Sequence, residues 1–189
     1  MRTLLILALV ILANFTFAQN TIEEKSFERK GFIFGLGMGV GSLSLNTNDT
    51  LSNSITATLP NIKIGYMLNN RFALLALLPG ANYKYKEKDR GFEGFLLSGQ
   101  YWVKNNWWVL GGAGLTFDAP AFYTVDDPKT AEFYAGVSAL TFSTGYEVWH
   151  KGKFALDLQY RLFYGKSSIA NNGFREGVSN MLIVGFNWY

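Results

Sequence analysis

Alternation between apolar and polar side chains near the C-terminal end is the feature that most constrains how this chain folds. Across residues 154–164 every second side chain is large and apolar: Phe154, Leu156, Leu158, Tyr160, Leu162 and Tyr164. The intervening positions carry the polar groups, including Asp157, Gln159 and Arg161. Because the side chains of a β-strand point alternately to its two faces, this segment is predicted to be a strand with one apolar and one polar face.

Segments with the same period recur along the chain, bounded by turn residues. Eight strands are predicted, at about 31–43, 54–67, 71–83, 91–103, 106–117, 132–149, 153–165 and 179–189. Their connections alternate between short turns (68–70, 104–105 and 150–152) and long polar loops (46–53, 84–90, 118–130 and 166–177). Short turns at one end and long loops at the other predict an all-β fold, an eight-stranded antiparallel up-and-down transmembrane β-barrel.

The N-terminus has the features of an export signal. An apolar run from Leu4 to Ala13 follows a basic residue, and Ala18 supplies a small side chain for a signal peptidase. The run is shorter than the roughly 20 residues that a transmembrane helix needs. We therefore predict a cleaved signal peptide at 1–18, a periplasmic N-terminal segment at 19–30 and the barrel at 31–189.

Charge distribution indicates which face of the barrel points outward. A soluble lipocalin-like barrel also has eight antiparallel strands, but its apolar face lines an internal ligand site. After the signal peptide, the charged residues placed well inside predicted strands are Lys63, Glu147, Asp157 and Arg161. A soluble barrel would then have an almost uncharged outer wall, so we predict a membrane barrel whose apolar faces contact lipid.

The four strand charges lie on polar faces and are therefore expected inside the barrel. An eight-stranded barrel is filled by its own side chains. Since charges removed from water need partners, we predict that these residues form a structural network of ion pairs, with Lys63 as the best candidate partner of Asp157. A proton or ion pathway through the lumen is the alternative.

Glycines on the first strand also favour a narrow lumen. Gly35, Gly37, Gly39 and Gly41 alternate with large apolar residues, and glycine leaves room for side chains from opposite walls. The period of two differs from the Gly-x-Gly-x-x-Gly of a dinucleotide site, and no helix is predicted after it. A nucleotide cofactor is therefore not expected.

Tryptophans are concentrated near the predicted short turns and the C-terminus, which this topology brings to one rim. They are Trp102, Trp107, Trp108, Trp149 and Trp188. This placement predicts an aromatic girdle at a membrane interface. Strict alternation would nevertheless turn Trp102 and Trp108 inward.

The export signal, the eight strands and the terminal strand 181–189 (MLIVGFNWY) resemble those of small outer-membrane barrels typified by OmpX and the OmpA membrane domain, especially relatives in the Bacteroidota. The resemblance implies location in the cell outer membrane and contact with its lipid and lipopolysaccharide. It also implies recognition by the barrel-assembly machinery through a terminal strand that ends in aromatic residues. Phe186, Trp188 and Tyr189 match that signal, although the outward aromatic falls one residue before the end.

Residues suited to catalysis or metal binding are sparse. His150 is the single histidine and lies in a predicted short turn, away from the rim where lipid A would be, so we interpret it as a solvated turn residue. Acyl transfer would require a histidine base beside a serine. The chain has no cysteine, and Asp126 and Asp127 are interpreted as solvated loop residues, so no metal or cofactor site is predicted.

The most consistent function is that of a non-enzymatic barrel with a filled lumen, acting structurally or through its extracellular loops in adhesion, envelope integrity or partner binding. A lipid A acyl-modifying enzyme and a soluble lipocalin-like carrier are the alternatives. The lysine-rich segment 83–90 is either a solvated loop or a contact for lipopolysaccharide phosphates. Nucleic acid is not an expected partner, since the formal net charge of +3 is small and falls to +2 when Arg2 leaves with the signal peptide.

Overall fold

The computed structural model describes residues 28–47, 50–58, 61–85, 88–121, 133–169 and 173–189. The chain there forms ten strands: β1 (Gly31–Thr47), β2 (Thr50–Ala57), β3 (Asn61–Asn69), β4 (Phe72–Leu78), β5 (Gly80–Tyr85), β6 (Lys88–Trp102), β7 (Trp107–Pro120), β8 (Tyr134–Lys151), β9 (Phe154–Ile169) and β10 (Gly173–Trp188). This part of the chain contains no helix of sufficient length and hydropathy to cross a membrane. The predicted signal peptide, residues 19–27, Asp126 and Asp127 lie outside the described residues.

Eight of these strands close into a ring. The neighbours run in the order β1, β3, β4, β6, β7, β8, β9 and β10, and all pairs are antiparallel. The ring closes between the first and last strands, with Phe34 opposite Trp188 and Asn46 opposite Glu176. Beyond the end of β3, β2 pairs with β1, and beyond the end of β4, β5 pairs with β6. The predicted eight-stranded antiparallel barrel is confirmed.

Two predicted strands are each divided in the structure. The segment predicted at 71–83 becomes β4 and β5, which are separated by Pro79, and the segment predicted at 54–67 becomes β2 and β3. Proline has no backbone N–H and interrupts a hydrogen-bonded ladder, which explains the break at Pro79. The alternation of inward and outward side chains therefore continues through Pro79, although the backbone pairing is interrupted there.

The strands also extend further than their apolar patterns indicate. The predicted loops at 84–90 and 166–177 are largely strand, because β6 begins at Lys88 and β10 begins at Gly173. Backbone hydrogen bonds do not depend on side-chain polarity, so pairing continues past the lipid-facing positions. We refer to the end with connections at 70–71, 103–106 and 152–153 as the turn end, and to the opposite end as the loop end. At the turn end, Gly152 has a φ of 62°, a conformation that glycine adopts readily.

Alternation sorts the side chains between the lumen and the outer wall. On β9 and β10, Leu158 and Val184 point outward with 54% and 57% of their surface exposed, while Gln159 and Ile183 point inward and are buried. The same division continues around the ring and leaves an apolar outer wall. A soluble lipocalin-like barrel would bury this face and expose the other, so that alternative is wrong.

Packed side chains fill the interior in two apolar clusters. The cluster nearer the turn end comprises Ile33, Met67, Ala73, Leu75, Leu77, Trp102, Trp108, Leu110, Ala155 and Tyr189. The cluster nearer the loop end comprises Leu43, Leu45, Ala81, Tyr83, Phe92, Leu96, Ala139, Phe163, Met181 and Ile183. On β1 between them, a Cβ atom at Gly35 would lie 2.8 Å from Cγ of Lys63 and 2.8 Å from Oδ1 of Asn187, so glycine leaves room there for two inward side chains. The lumen is thus a core rather than an open pore.

Candidate functional site

The four charges predicted for the lumen are all inside it, and none exposes more than 5% of its surface: Lys63, Glu147, Asp157 and Arg161. They do not pair with one another, however. No salt bridge joins any two of them among the described residues. The predicted ion pair between Lys63 and Asp157 is therefore not formed. Each of the four charges instead interacts mainly with neutral hydrogen-bonding groups or with a charged residue outside the predicted set.

Three neutral donors hold the Asp157 carboxylate. Trp108 Nε1 and Asn187 Nδ2 donate to Asp157 Oδ2 at 3.1 and 2.9 Å, and Gln159 Nε2 donates to Oδ1 at 2.7 Å. A buried carboxylate needs hydrogen bonds to replace its water, and three donors supply them without a cation in direct contact. Trp108 points inward for this reason as well as for packing.

Amide and hydroxyl groups also surround the two lumen cations. Arg161 donates to Asn61 Oδ1 at 2.6 Å, to Gln159 Oε1 at 3.0 Å and to Ser143 Oγ at 3.1 Å. Lys63 Nζ donates to Gln100 Oε1 at 3.2 Å and lies 5.1 Å from the centroid of the Trp108 ring. Gln159 consequently connects the Asp157 carboxylate to the Arg161 guanidinium through one amide group. We call this set the polar layer: Asn61, Lys63, Gln100, Ser143, Asp157, Gln159 and Arg161.

Glu147 is the centre of a separate group at the turn end. Its Oε1 accepts hydrogen bonds from Tyr189 OH at 2.5 Å and from Trp102 Nε1 at 3.0 Å. Its Oε2 pairs with Arg29 and lies 2.7 Å from His150 Nε2. We call these five residues the turn-end cluster: Arg29, Trp102, Glu147, His150 and Tyr189. The cluster joins the segment before β1 to the C-terminal residue.

Two members of the turn-end cluster change the sequence interpretation. His150 is half-buried against Glu147 and is not simply a solvated turn residue. Arg29, which the sequence pattern does not single out, is buried, with its guanidinium carbon 4.8 Å from the centroid of the Trp102 ring. Its position just before β1 carries no periodic signal that could identify it.

Tryptophan orientation corrects part of the predicted girdle. Trp102 and Trp108 expose 1% and 0% of their surface and belong to the lumen, as strict alternation requires. Trp107 and Trp149 point outward with 40% and 43% exposed. Trp149 does so because a register shift between residues 147 and 149 lets Glu147 face inward and Trp149 outward.

Aromatic residues near the C-terminus face both directions. Trp188 packs edge-on against Phe32 with ring centroids 6.2 Å apart, and Phe186 stacks on Phe154 at 5.4 Å. Tyr189 instead turns into the lumen as part of the turn-end cluster. Trp107, Trp149 and Trp188 are therefore the tryptophans available for a lipid-facing girdle.

A second buried ionic group lies at the loop end, where loops were expected. Asp118 Oδ1 accepts from Arg90 Nε at 2.6 Å and from Arg175 Nη1 at 2.9 Å. Tyr83 OH donates to Asp118 Oδ2 at 2.6 Å and accepts from Arg175 Nη1 at 3.0 Å. Both guanidinium groups also face the Tyr134 ring, at 5.4 and 5.3 Å. We call this set the loop-end cluster: Tyr83, Arg90, Asp118, Tyr134 and Arg175.

The sequence contains a usable signal for the loop-end cluster. Asp118 has the same parity as the inward-facing Trp108 and Leu110 on β7, and Arg90 has the parity of the inward-facing Phe92 on β6. Alternation extended beyond the apolar region would therefore place both charges inside. The prediction assigns them to loops because it treats polarity as the end of each strand.

A small cavity borders the polar layer. Its volume is about 10 Å³, and it is lined by Asn61, Lys63, Gln159 and Arg161 together with Gly35, Leu36, Gly37 and Leu77. Such a volume holds about one water molecule. The described residues contain no group of three or more His, Asp or Glu side chains arranged to hold a metal ion.

Solved structures with this architecture are small outer-membrane barrels. Ail, the attachment invasion locus protein of Yersinia pestis, is 13% identical with a TM-score of 0.51, and the match covers 85% of this chain and all of Ail. Neisserial surface protein A is 18% identical with a TM-score of 0.57, and the match covers 82% of this chain and 96% of that one. Comparison with protein-family models and with curated proteins gives no match.

These similarities concern the fold, and they agree with the closed ring and the apolar outer wall. The chain has the fold of the small, eight-stranded outer-membrane β-barrels. The expected resemblance to this class is confirmed. A relation to proteins of the Bacteroidota stays a prediction.

Proposed function

We propose that this protein is a non-enzymatic barrel with a closed lumen, which supports the outer membrane mechanically and presents its loop end to external partners. The observation that carries this proposal is the pair of buried ionic clusters, one at each end of a packed interior. The turn-end cluster is centred on Glu147 and the loop-end cluster on Asp118.

Both clusters oppose passage of solutes. An ion moving along the axis would have to separate Arg29 from Glu147 and Arg90 from Asp118, leaving charges buried without their partners. Between the clusters it would meet the polar layer, in which the cavity holds about one water molecule. A structural role for Lys63, Asp157 and Arg161 accounts for these contacts better than a conduction pathway does.

The position of His150 gives no support to an acyl-transfer enzyme. Its ring nitrogen is held by Glu147 at the turn end. Outer-membrane barrels have short turns on the periplasmic side, so we infer that this end faces the periplasm. Lipid A would then be at the opposite rim, beyond the reach of His150.

Basic side chains at the loop end supply a contact surface. Lys166 is exposed on the outer face. Its Nζ atom lies 3.5 Å from Glu176 Oε2 and 4.4 Å from the centroid of the Phe174 ring. Lys84 is also exposed at this end. We infer that these cations contact lipopolysaccharide phosphates, while the apolar wall contacts lipid acyl chains.

Biogenesis follows from the remaining sequence features. We infer that residues 1–18 are removed after export. The segment 19–30 then starts in the periplasm and enters the barrel at Arg29. The outward-facing Phe186 and Trp188, followed by Tyr189, would serve as the signal read by the barrel-assembly machinery.

Two measurements test the proposed function against its alternatives. Purified protein in planar bilayers should give no steady conductance, and a Glu147→Ala, Asp118→Ala double variant should conduct more than the wild type if the clusters are the closures. Steady conductance through the wild-type protein would contradict a closed lumen. Lipid A mass spectra should be the same with and without expression, and a change in acyl composition would favour the enzyme.

A further inference from the structure

An open cleft of about 430 Å³ lies on the rim of the turn end. Its lining comprises Arg71, Val103, Lys104, Asn105, Asn106 and Tyr146. Arg71 comes from the turn between β3 and β4, and Lys104 to Asn106 come from the turn between β6 and β7. The cleft is separate from the polar layer, and the side chains that line it take no part in the closure of the lumen proposed above.

Two cations in this cleft have no acidic partner. Arg71 and Lys104 are exposed, and in the described part of the chain neither forms a salt bridge with a carboxylate. Asn105 and Asn106 add side-chain amides, which can donate hydrogen bonds to an oxyanion. The polar part of the lining therefore has the chemistry of a phosphate site, with one guanidinium that can bind in a bidentate manner.

Hydrogen bonds hold the backbone of both turns in place. Arg29 Nη2 donates to the Asn105 carbonyl at 2.6 Å, and the Glu147 N–H donates to the Asn106 carbonyl at 2.8 Å. The Arg71 N–H donates to Asn69 Oδ1 at 2.9 Å, and its carbonyl accepts from the Trp102 N–H at 2.9 Å. The backbone is therefore already ordered, and only side chains have to be ordered when an anion binds, which lowers the entropic cost of binding.

The apolar part of the lining identifies the source of the anion. Val103 and Tyr146 are exposed large side chains that belong to the outer wall, and the outward-facing Trp107 follows within the same turn region of the sequence. A soluble phosphate would contact the cations and amides but would make no apolar contact with Val103 and Tyr146. A phospholipid places a phosphate at the rim and acyl chains along the wall.

We propose that the cleft binds the headgroup of an anionic glycerophospholipid from the leaflet at the turn end. The phosphate lies between Arg71 and Lys104, and an acyl chain covers Val103 and Tyr146. The proposal names one class of lipid for one position on the rim. General contact between the barrel and bilayer lipid would not predict such a preference. It rests on the orientation inferred above, in which the turn end faces the periplasm and meets the leaflet opposite the lipid A.

Native mass spectrometry of the delipidated barrel in detergent tests this assignment. The wild type should retain phosphatidylglycerol more strongly than phosphatidylcholine. An Arg71→Gln, Lys104→Gln double variant should lose about 10- to 30-fold in affinity for phosphatidylglycerol, as expected for two cations at a membrane surface. The matched control is Lys151→Gln with Lys153→Gln, which removes the same charge from exposed positions on the same rim outside the cleft.

Competition with inorganic phosphate distinguishes a lipid site from a site for a soluble anion. Equal retention of the two lipids, or equal loss in the cleft variant and its control, would overturn the proposal. Excess inorganic phosphate should displace phosphatidylglycerol only weakly, and a Val103→Asn variant should weaken lipid binding while leaving phosphate binding unchanged. Full displacement by phosphate, together with no effect of Val103→Asn, would assign the cleft to a soluble anion instead. Heat-modifiable migration on SDS gels verifies that each variant is folded.

Discussion

Replacement of Glu147 by alanine should destabilise the barrel more than replacement of any single group that contacts it. The carboxylate is fully buried and interacts with Arg29, His150, Trp102 Nε1 and Tyr189 OH. Its removal takes this carboxylate away from the buried Arg29 guanidinium, a change that costs about 3–5 kcal/mol. The Trp102 and Tyr189 donors lose their acceptor at the same time.

Replacement of Arg29 by alanine should have a smaller effect. Glu147 would keep its contacts with His150, Trp102 and Tyr189, so the carboxylate would remain solvated by the protein. The expected loss is about 1–3 kcal/mol, the cost of one charged hydrogen-bonding partner. The control is Lys30→Ala, because Lys30 pairs with Glu28 in a solvated position and such pairs contribute about 0–1 kcal/mol.

Urea titration of the barrel in lipid vesicles, followed by heat-modifiable migration on SDS gels, measures the free energy of unfolding. The expected order of destabilisation is Glu147→Ala, then Arg29→Ala, then Lys30→Ala. An equal loss for the first two variants would show that Glu147 acts only through Arg29. A loss below about 1 kcal/mol for Glu147→Ala would show that water replaces the missing carboxylate and would refute the reasoning.

Three further predictions concern the wall, the loop end and the topology. Leu158→Arg on the outer wall should lower the free energy of unfolding by about 2–4 kcal/mol in the same titration, whereas Val178→Arg, two residues from the outward-facing Glu176, should lower it by about 0–1 kcal/mol. The reverse order would mean that the bilayer depths of these two positions are misassigned. Asp118→Ala should cost about 3–5 kcal/mol, because Arg90 and Arg175 lose a shared carboxylate. Tyr83→Phe should cost only about 1–2 kcal/mol, and equal losses would argue against Asp118 as the centre of the cluster. Cysteines at Asn172 or Asp127 should react with an impermeant reagent on intact cells, and a cysteine at Lys151 should not; labelling at Lys151 alone would reverse the topology.

Much of the barrel can be predicted from the sequence, because strand geometry relates position to direction. Alternation places Lys63, Asp157 and Arg161 inside and Leu158 and Val184 outside, and the structure has this arrangement. The points at which predicted strands are divided are harder to predict, since Pro79 interrupts backbone pairing without interrupting the side-chain pattern. Strand ends are predicted too early for the corresponding reason, because polar residues such as Asp118 continue the ladder.

The candidate sites depend on contacts that alternation cannot specify. Parity states that Asp157 faces the lumen, but only the stagger of the strands brings Trp108 and Asn187 within hydrogen-bonding distance of it. The rim cleft likewise exists because two turns, distant in sequence, lie side by side.

The amino-acid sequence by itself determined the fold class and the identity of the two faces, because a period of two and the scarcity of strand charges require an apolar outer wall. The tertiary structure alone decided which inward side chains meet. Arg29 reaches Glu147 across 118 positions in the sequence, and a register shift after Glu147 turns Trp149 outward. Closure of the ring sets such contacts, because it fixes the relative heights of all eight strands at once.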